Sequence, residues 1–355
     1  MVAAGGNAGT DGMNARLERN LRMLAAIVVG SVFPAVGFAL ARGYASLSGV
    51  AVGIAYGFIL SITIGGIFLF VLQGPMRMWL GGLSFTANLA VRSAVYAAII
   101  VPALYFQLGE LIVGVPREPS AKSFWIAIAY SVIFLFLINL VLGIANIIGP
   151  RAFRNFITGR YNTPVEENRF VLFVDIAGST GLAERLGGVG IHRLLDRTFR
   201  LLTAPVVDYR GEVLDYVGDE VIVTWQEGGG AVDFRPLRCF MAMREELARA
   251  SGQLQREFGV VPRIRGSLHF GPVIIGEIGD VKRAIVFNGD VMNTAARLEE
   301  LSRNVDGGFL ASRAAMQQFA GEPPFAVHDL GRLPIRGRAD GIDVVGIAAP
   351  ASAQT

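Results

Sequence analysis

Apolar positions follow two unlike regimes along this chain. Up to residue 148 they come in long unbroken runs, and from residue 169 onward in short strand-like and helically spaced sets. Four runs approach the roughly 20 residues an α-helix needs to cross a bilayer. They are 23–42, 49–72, 86–107 and 124–148. The third is the least regular: Arg92 lies near its start, Pro102, Gln107 and Glu110 lie in or just beyond it, and a span shifted to 93–115 is the alternative. The first run begins late, is long and lacks a small-residue cleavage pattern, so it does not read as a removable signal peptide. Four runs of this length would be hard to bury inside a soluble protein. The expectation is a disordered N-terminus over 1–20, rich in Gly, Ala and Asn, followed by a four-helix transmembrane domain over 21–148.

Residues 149–168 read as a linker. Its first part predicts a short basic amphipathic helix, with Phe153, Phe156 and Ile157 toward the bilayer or a partner, stopped by Pro164. Strand 169–175 then leads through a Gly-Ser-Thr turn to a helix near 180–207, with Leu182, Leu186, Leu194, Leu195, Phe199 and Leu202 on its apolar face. Strands 211–217 and 220–226, a helix near 231–258, strands 262–269 and 272–278, a loop at 279–284 and a helix from Asp290 to about Ser302 follow. Phe309-Leu-Ala-Ser and closing strands 325–335 and 342–348 complete a domain over 169–350. This is an α+β pattern: a mixed sheet covered by helices on one side.

Composition sharpens the division. Charged residues make up 17% of the chain, against about 25% in soluble proteins, and the deficit lies before residue 150. Arg16, Arg19, Arg22, Arg77, Arg92, Arg151, Arg154, Arg160 and Arg169 flank one side of the spans, and Arg42, Arg117 and Lys122 the other. The excess places both termini and the second domain in the cytoplasm of a multi-pass protein of the cell (plasma or inner) membrane. The same arginines account for most of the pI of 9.2. No basic stretch interleaved with aromatics points to nucleic acid. A single cysteine, Cys239, excludes an internal disulfide and reads as a small core residue.

Chemistry concentrates at two acidic residues. Asp175 closes the run Phe170-Val-Leu-Phe-Val-Asp-Ile, and Asp219 sits in a Gly-Asp-Glu turn between two β-rich runs. A carboxylate at a strand end beside a Gly-rich turn suits Mg²⁺ held against a phosphate, although aspartate is also an ordinary turn residue. Four clusters go with them: 170–187, 211–225, 263–279 and 289–301. With Asp-Ile-x-Gly-Ser-Thr, Val-Gly-Asp-Glu and Asn-Thr-Ala-Ala-Arg-Leu in that order, residues 166–350 resemble the catalytic domain of class III nucleotidyl cyclases, the adenylate and guanylate cyclases.

That resemblance implies two Mg²⁺ or Mn²⁺ ions on Asp175, Asp219 and the Ile176 carbonyl. It also implies phosphate contacts at Gly178, Ser179, Thr180, Arg265 and Arg338, with Arg336 as the register alternative, and catalytic roles for Asn293 and Arg297 on the ribose and transition-state phosphate. His269 reads as structural. In the family the aspartates and the Asn/Arg pair come from different subunits, so a homodimer with two composite sites is implied. The base-selecting positions depart from the adenylate pattern: Asp215 and Val286 stand where a Lys and an Asp or Thr are usual. A carboxylate at Asp215 suits guanine, whose N1 and amino group are donors. Family abundance puts ATP and adenylate cyclase first, and GTP and guanylate cyclase remain the alternative. A catalytically silent nucleotide-sensing module is another. The fuller motif of diguanylate cyclases is missing, because valines flank the Gly-Asp-Glu turn. What the membrane domain binds, whether an unknown ligand, a partner or only the lipid bilayer, is not readable. Gly53, Gly57, Gly65 and Gly66 permit close helix packing there.

Overall fold

A computed structural model describes residues 27–41, 46–72, 83–106, 108–114, 121–148, 157–281, 283–305, 307–335 and 340–348, with a few single residues between them. Most of the expected disordered N-terminus, Phe153, Phe156, Arg336 and Arg338 lie outside the described residues. The chain divides into two compact units, Met1–Arg154 and Asn155–Thr355, with the boundary inside the expected linker.

The first unit is helical. Helix α1 covers Val32–Ala41, and α2 covers Leu47–Gly66 and runs on as a π-helical stretch, Ile67–Leu72. Helix α3 covers Phe85–Tyr105 and α4 covers Ala121–Ile148, with a short helix, Leu108–Val113, between them. Serine hydroxyls cap two of them: Ser46 accepts from the Gly49 N–H at 3.2 Å, and Ser84 from the Ala87 N–H at 3.2 Å. Among the described residues, three helical segments are long and apolar enough to cross a membrane: Leu47–Val71, Phe85–Tyr105 and Phe124–Val141. The first expected span is represented by a shorter apolar stretch. The third follows the 86–107 reading rather than 93–115, because Pro102 is accommodated three residues before the helix ends. Ile133 and Leu137 on α4 are 61% and 52% exposed, so its outward face is apolar.

Small residues bring α1 against α2. A Cβ at Gly53 would lie 2.7 Å from the Ala39 Cβ, and one at Gly57 would lie 2.6 Å from the Ala35 Cβ. Only glycine allows this approach.

The second unit is built on an eight-stranded sheet in the order β2-β3-β1-β4-β6-β8-β7, with β5 added to β4. The strands are β1 Val165–Ile176, β2 Glu212–Val217, β3 Glu220–Gln226, β4 Ile264–Ile278, β5 Ala284–Asn288, β6 Phe309–Ser312, β7 Ala326–Leu333 and β8 Ile342–Ala348. All pairings are antiparallel except β4 with β6. Helix α5 covers Ser179–Asp208, α6 Arg235–Arg249, α7 Ser251–Phe258 and α8 Asp290–Ser302.

Strand β1 is central, which explains its unbroken apolar run. Phe170, Leu172, Val174 and Ile176 join the core formed with α5, α6 and α7. Val171 and Phe173 join a second core with Val291 and Ala295 of α8. Helices therefore cover both faces, not the single face expected, because α8 returns across the sheet after β5.

Other expectations are corrected in the same way. Strand β1 begins at Val165 rather than 169, because Val165–Asn168 pair with Ile275–Pro272 of β4 and shorten the linker. The two strands read at 262–269 and 272–278 are one strand, β4. Its Pro272 is tolerated because the β6 pairing ends at Leu268 and the β5 pairing begins at Ile274. Residues 284–288 form a strand where none was expected. The helix read over 231–258 is broken into α6 and α7 after a turn in which Asp233 and Phe234 take positive φ.

Substituting Gly53→Val should separate α1 from α2 at a cost of about 1–3 kcal/mol, whereas Gly66→Ala, whose Cβ meets nothing within 4 Å, should be near neutral. Thermal denaturation of both variants in detergent checks this.

Candidate active site

Alternation along β1 decides where its last carboxylate goes. Asp175 shares parity with Val171 and Phe173, so it emerges on the α8 face. Only 5% of it is exposed. The chain leaves β1 through Gly178, which takes the left-handed conformation (φ 73, ψ 24) and opens α5. That turn brings the α5 N-terminus beside the carboxylate.

The β2–β3 hairpin supplies the second carboxylate. Gly218 takes φ 63, which glycine tolerates without strain. Glu220 pairs in register with Asp175, so the turn hangs over the end of β1. The Ile176 N–H donates to the Asp219 carbonyl at 3.3 Å and ties the turn down. The Ile176 side chain is buried in the opposite core, so only its backbone lies on this side.

The two carboxylates are in direct contact. Burial, then the hydrogen bond to Asp219, then the charges of Glu299 and Asp219 push Asp175 up to about 7. Burial acts on Asp219 in the same direction, but the Ser179 hydroxyl and the Asp175 carboxyl donate to it and hold it below the usual range. Two adjacent charges in a half-dry site repel, which favours the protonated form of Asp175. Neighbouring Glu220 is pushed up to about 8 by burial and by the charges of Glu299, Asp175 and Asp219.

The positive charge comes from Arg265. It sits directly across from Asp175 in the β1–β4 register. Its Nη2 donates to Asp175 Oδ2, and its Nε donates to Glu299 Oε1 of α8 at 2.9 Å.

These groups line one cavity of about 490 Å³. It unites six residues read from the sequence: Asp175, Gly178, Ser179, Thr180, Asp219 and Arg265. Glu220, Glu299, Glu300 and Arg303 line it too and were not read as site residues. Glu220 adjoins Asp219 in the sequence and was within reach of a motif reading. The other three required knowing that α8 packs over Asp175.

Asn293, Arg297, Asp215 and Val286 do not line this cavity in the single chain. Asn293 is exposed and Arg297 half-buried on α8. At about 100° per residue, Arg297 lies on the far side of the helix from Glu299. Asp215 is exposed on β2, where its Oδ1 accepts from the Tyr216 N–H at 2.8 Å. Val286 is half-buried on β5 opposite Gly276. His269 is buried with its Nδ1 at 2.7 Å from the Ser312 hydroxyl, in keeping with a structural role.

Among the described residues, no three metal-ligating side chains converge. The Asp175–Asp219 pair still suits Mg²⁺ or Mn²⁺. Mg²⁺ is commonly held by one or two carboxylates, with water and substrate phosphates completing its shell. Two adjoining carboxylates mark a place where a cation would relieve repulsion.

Comparison with known proteins agrees with this arrangement. A family model described as the adenylate and guanylate cyclase catalytic domain matches residues 163–345. Adenylate cyclase 2 of Rhizobium meliloti (strain 1021) is 35% identical over 247 residues, covering 67% of this chain and 66% of that protein. Adenylate cyclase 1 of the same organism is 28% identical over 179 residues, 49% of this chain and 26% of that protein. The membrane guanylyl cyclase of Dictyostelium discoideum is 26% identical over 47% of this chain and 11% of its own length. The chain thus spans just under two thirds of the first relative and less of the others. A bacterial light-regulated adenylyl cyclase has the same fold, with a TM-score of 0.52 at 21% identity over 60% of this chain and 64% of that one. The match at 163–345 takes in over half of the 355 residues and the whole carboxylate cavity, and the chain belongs to the adenylate and guanylate cyclase catalytic domain family.

Proposed function

We propose that this chain is a membrane-anchored adenylate cyclase that converts ATP to 3′,5′-cyclic AMP and pyrophosphate in signal transduction. The observation that carries the reading is the Asp175–Asp219 pair, in contact at the mouth of a helix N-terminus and faced by Arg265. The 3′-oxygen bonds to the α-phosphorus, the bond from that phosphorus to pyrophosphate breaks, and the hydroxyl proton passes to water. Two Mg²⁺ or Mn²⁺ ions on Asp175, Asp219 and the Ile176 carbonyl would acidify the 3′-hydroxyl and neutralise the triphosphate.

The chain's own groups do the rest. Gly178, Ser179 and Thr180 offer N–H groups at the positive end of α5 to phosphate oxygens. Arg265 reaches the triphosphate from β4. Arg338 is assigned to the same anion by its place in the sequence. Asn293 orients the ribose, and Arg297 presents a planar fork to the transition-state phosphoryl group. Because neither lines the chain's own carboxylate cavity, they act on the site of a second copy, and the working unit is a homodimer. Adenylate-cyclase relatives support ATP as substrate. Asp215, an exposed acceptor on β2, favours GTP as the second reading.

The outward apolar faces of the first unit suit lipid, and the arginine asymmetry around its helices suits four spans with the catalytic domain in the cytoplasm. A ligand or partner of the membrane domain is left to experiment.

Purified protein supplied with Mn²⁺ and ATP or GTP should release pyrophosphate and a 3′,5′-cyclic nucleotide. Absence of cyclic product from either substrate would sink the enzyme reading. Asp175→Ala and Asn293→Ala proteins should each lose at least about a hundredfold in turnover, the scale of losing one electrostatic catalytic group, and should regain activity when mixed. Failure to complement would remove the shared-site dimer.

The shifted carboxylates set a pH dependence. Asp175 and Glu220 bind their protons more tightly folded than unfolded, so their contribution to stability is present at low pH and is lost as pH rises toward about 7 and about 8. A cation favours the ionised forms. The rise in Tm caused by Mn²⁺ should therefore be larger at pH 8 than at pH 6, and Asp175→Asn should flatten the difference in a thermal-shift titration.

A further inference from the structure

We infer that Glu299 is a positioning residue: it shares the Arg265 guanidinium with Asp175 and retains it when a divalent cation displaces it, because Arg265 and the cation compete for that carboxylate. The inference rests on the proposed metal site and concerns how that site is kept without metal and opened to it.

Three features build the clamp. Asp175 and Arg265 are direct cross-strand partners, so the pairing is set by the sheet and not by a mobile loop. Glu299 enters from α8, and its Oε1 takes Nε at 2.9 Å while Nη2 goes to Asp175. Behind Arg265 lies Gly308, with φ 61, where a Cβ would come within 3.0 Å of the Arg265 Cβ. The three charged side chains are only 16%, 7% and 7% exposed for Arg265, Asp175 and Glu299. Ion pairs this dry are geometrically strict, because each charge left alone would be costly.

The clamp uses the Nε and Nη2 edge of the guanidinium and engages Nη1 in neither bond. That end remains to meet a phosphate oxygen without Arg265 leaving β4 or Glu299. Nη2 already occupies Oδ2, one of the two oxygens that Asp175 could offer a cation. Two positive charges compete for the Asp175 carboxylate, so cation entry would turn Arg265 off Asp175, and the Nε bond to Glu299 would keep it within the cavity. Glu299 therefore acts through Arg265 and need not touch substrate or metal.

The test reads metal binding without turnover. Full-length protein in detergent at pH 8, without nucleotide, is titrated with Mn²⁺, and free Mn²⁺ is followed by electron paramagnetic resonance. Arg265→Gln should bind Mn²⁺ about tenfold more tightly, because the competing cation is gone. Glu299→Gln should bind it about tenfold more weakly, because Arg265 is left with Asp175 as its carboxylate partner. Each change is on the scale of one charge-assisted hydrogen bond. In the double variant the Glu299→Gln effect should shrink to within about threefold, the scale of a weak residual coupling. A merely structural Glu299 predicts instead weaker binding in every variant. Glu299→Asp, which keeps the charge on a shorter stem, should fall between wild type and Glu299→Gln, and it serves if Glu299→Gln does not fold.

Unchanged or weaker binding by Arg265→Gln, or an equal Glu299→Gln effect in both backgrounds, overturns the inference. If wild type binds Mn²⁺ and makes cyclic product while the variants behave in that way, only this inference falls. If wild type binds no Mn²⁺, the metal site itself falls with it.

Discussion

Contact between two carboxylates is the constraint around which the catalytic unit is arranged. Asp175 and Asp219 lie within hydrogen-bonding contact of one another. Such a pair is unfavourable unless positive charge or donors surround it. The neighbouring structure answers that need. Gly178 and Gly218 bend two turns of the chain so that backbone N–H groups and the carboxylates meet. Ser179 donates to one acid. Arg265 stands across the strand from the other, and α8 brings Glu299 to hold the arginine in place.

Burial on both faces of β1 makes that arrangement stiff. The even-numbered side chains of Phe170–Ile176 are packed under α5, α6 and α7, and the odd-numbered ones under α8. A one-residue slip of β1 would put Asp175 into the apolar core and Val174 into the cavity, so core packing and site geometry enforce the same register. The helix that closes the second core also carries Asn293, which is exposed, and Arg297, which is half-buried. One element thereby packs the second core and completes the carboxylate cavity.

The first unit is held together by different contacts. Its helices meet through glycine and alanine, with Gly53 and Gly57 lying against Ala39 and Ala35. Small residues at a helix contact let the two backbones approach closely. The catalytic unit has the opposite economy, with large side chains such as Phe170, Trp225, Phe240 and Phe309 fully buried.

Local pattern alone was enough to separate the two units, to place most strands and helices, and to single out Asp175, Asp219 and the Gly-Ser-Thr turn. Those features depend on neighbours in the chain: alternation, run length, and glycine where a strand must turn. Sequence also carried Arg265 as a candidate, but as a phosphate ligand and not as the partner of Asp175. It had no means of naming Glu299, Glu300 or Arg303, because nothing local says that α8 crosses the second face of the sheet. The continuity of β4 through Pro272 was hidden for the same reason. A proline reads as a break until the neighbouring strands are known to demand no hydrogen bond from it. The chain's chemistry was therefore written locally. The charge balance that makes it usable depends on which distant elements the sheet brings together, and only the tertiary structure decided that.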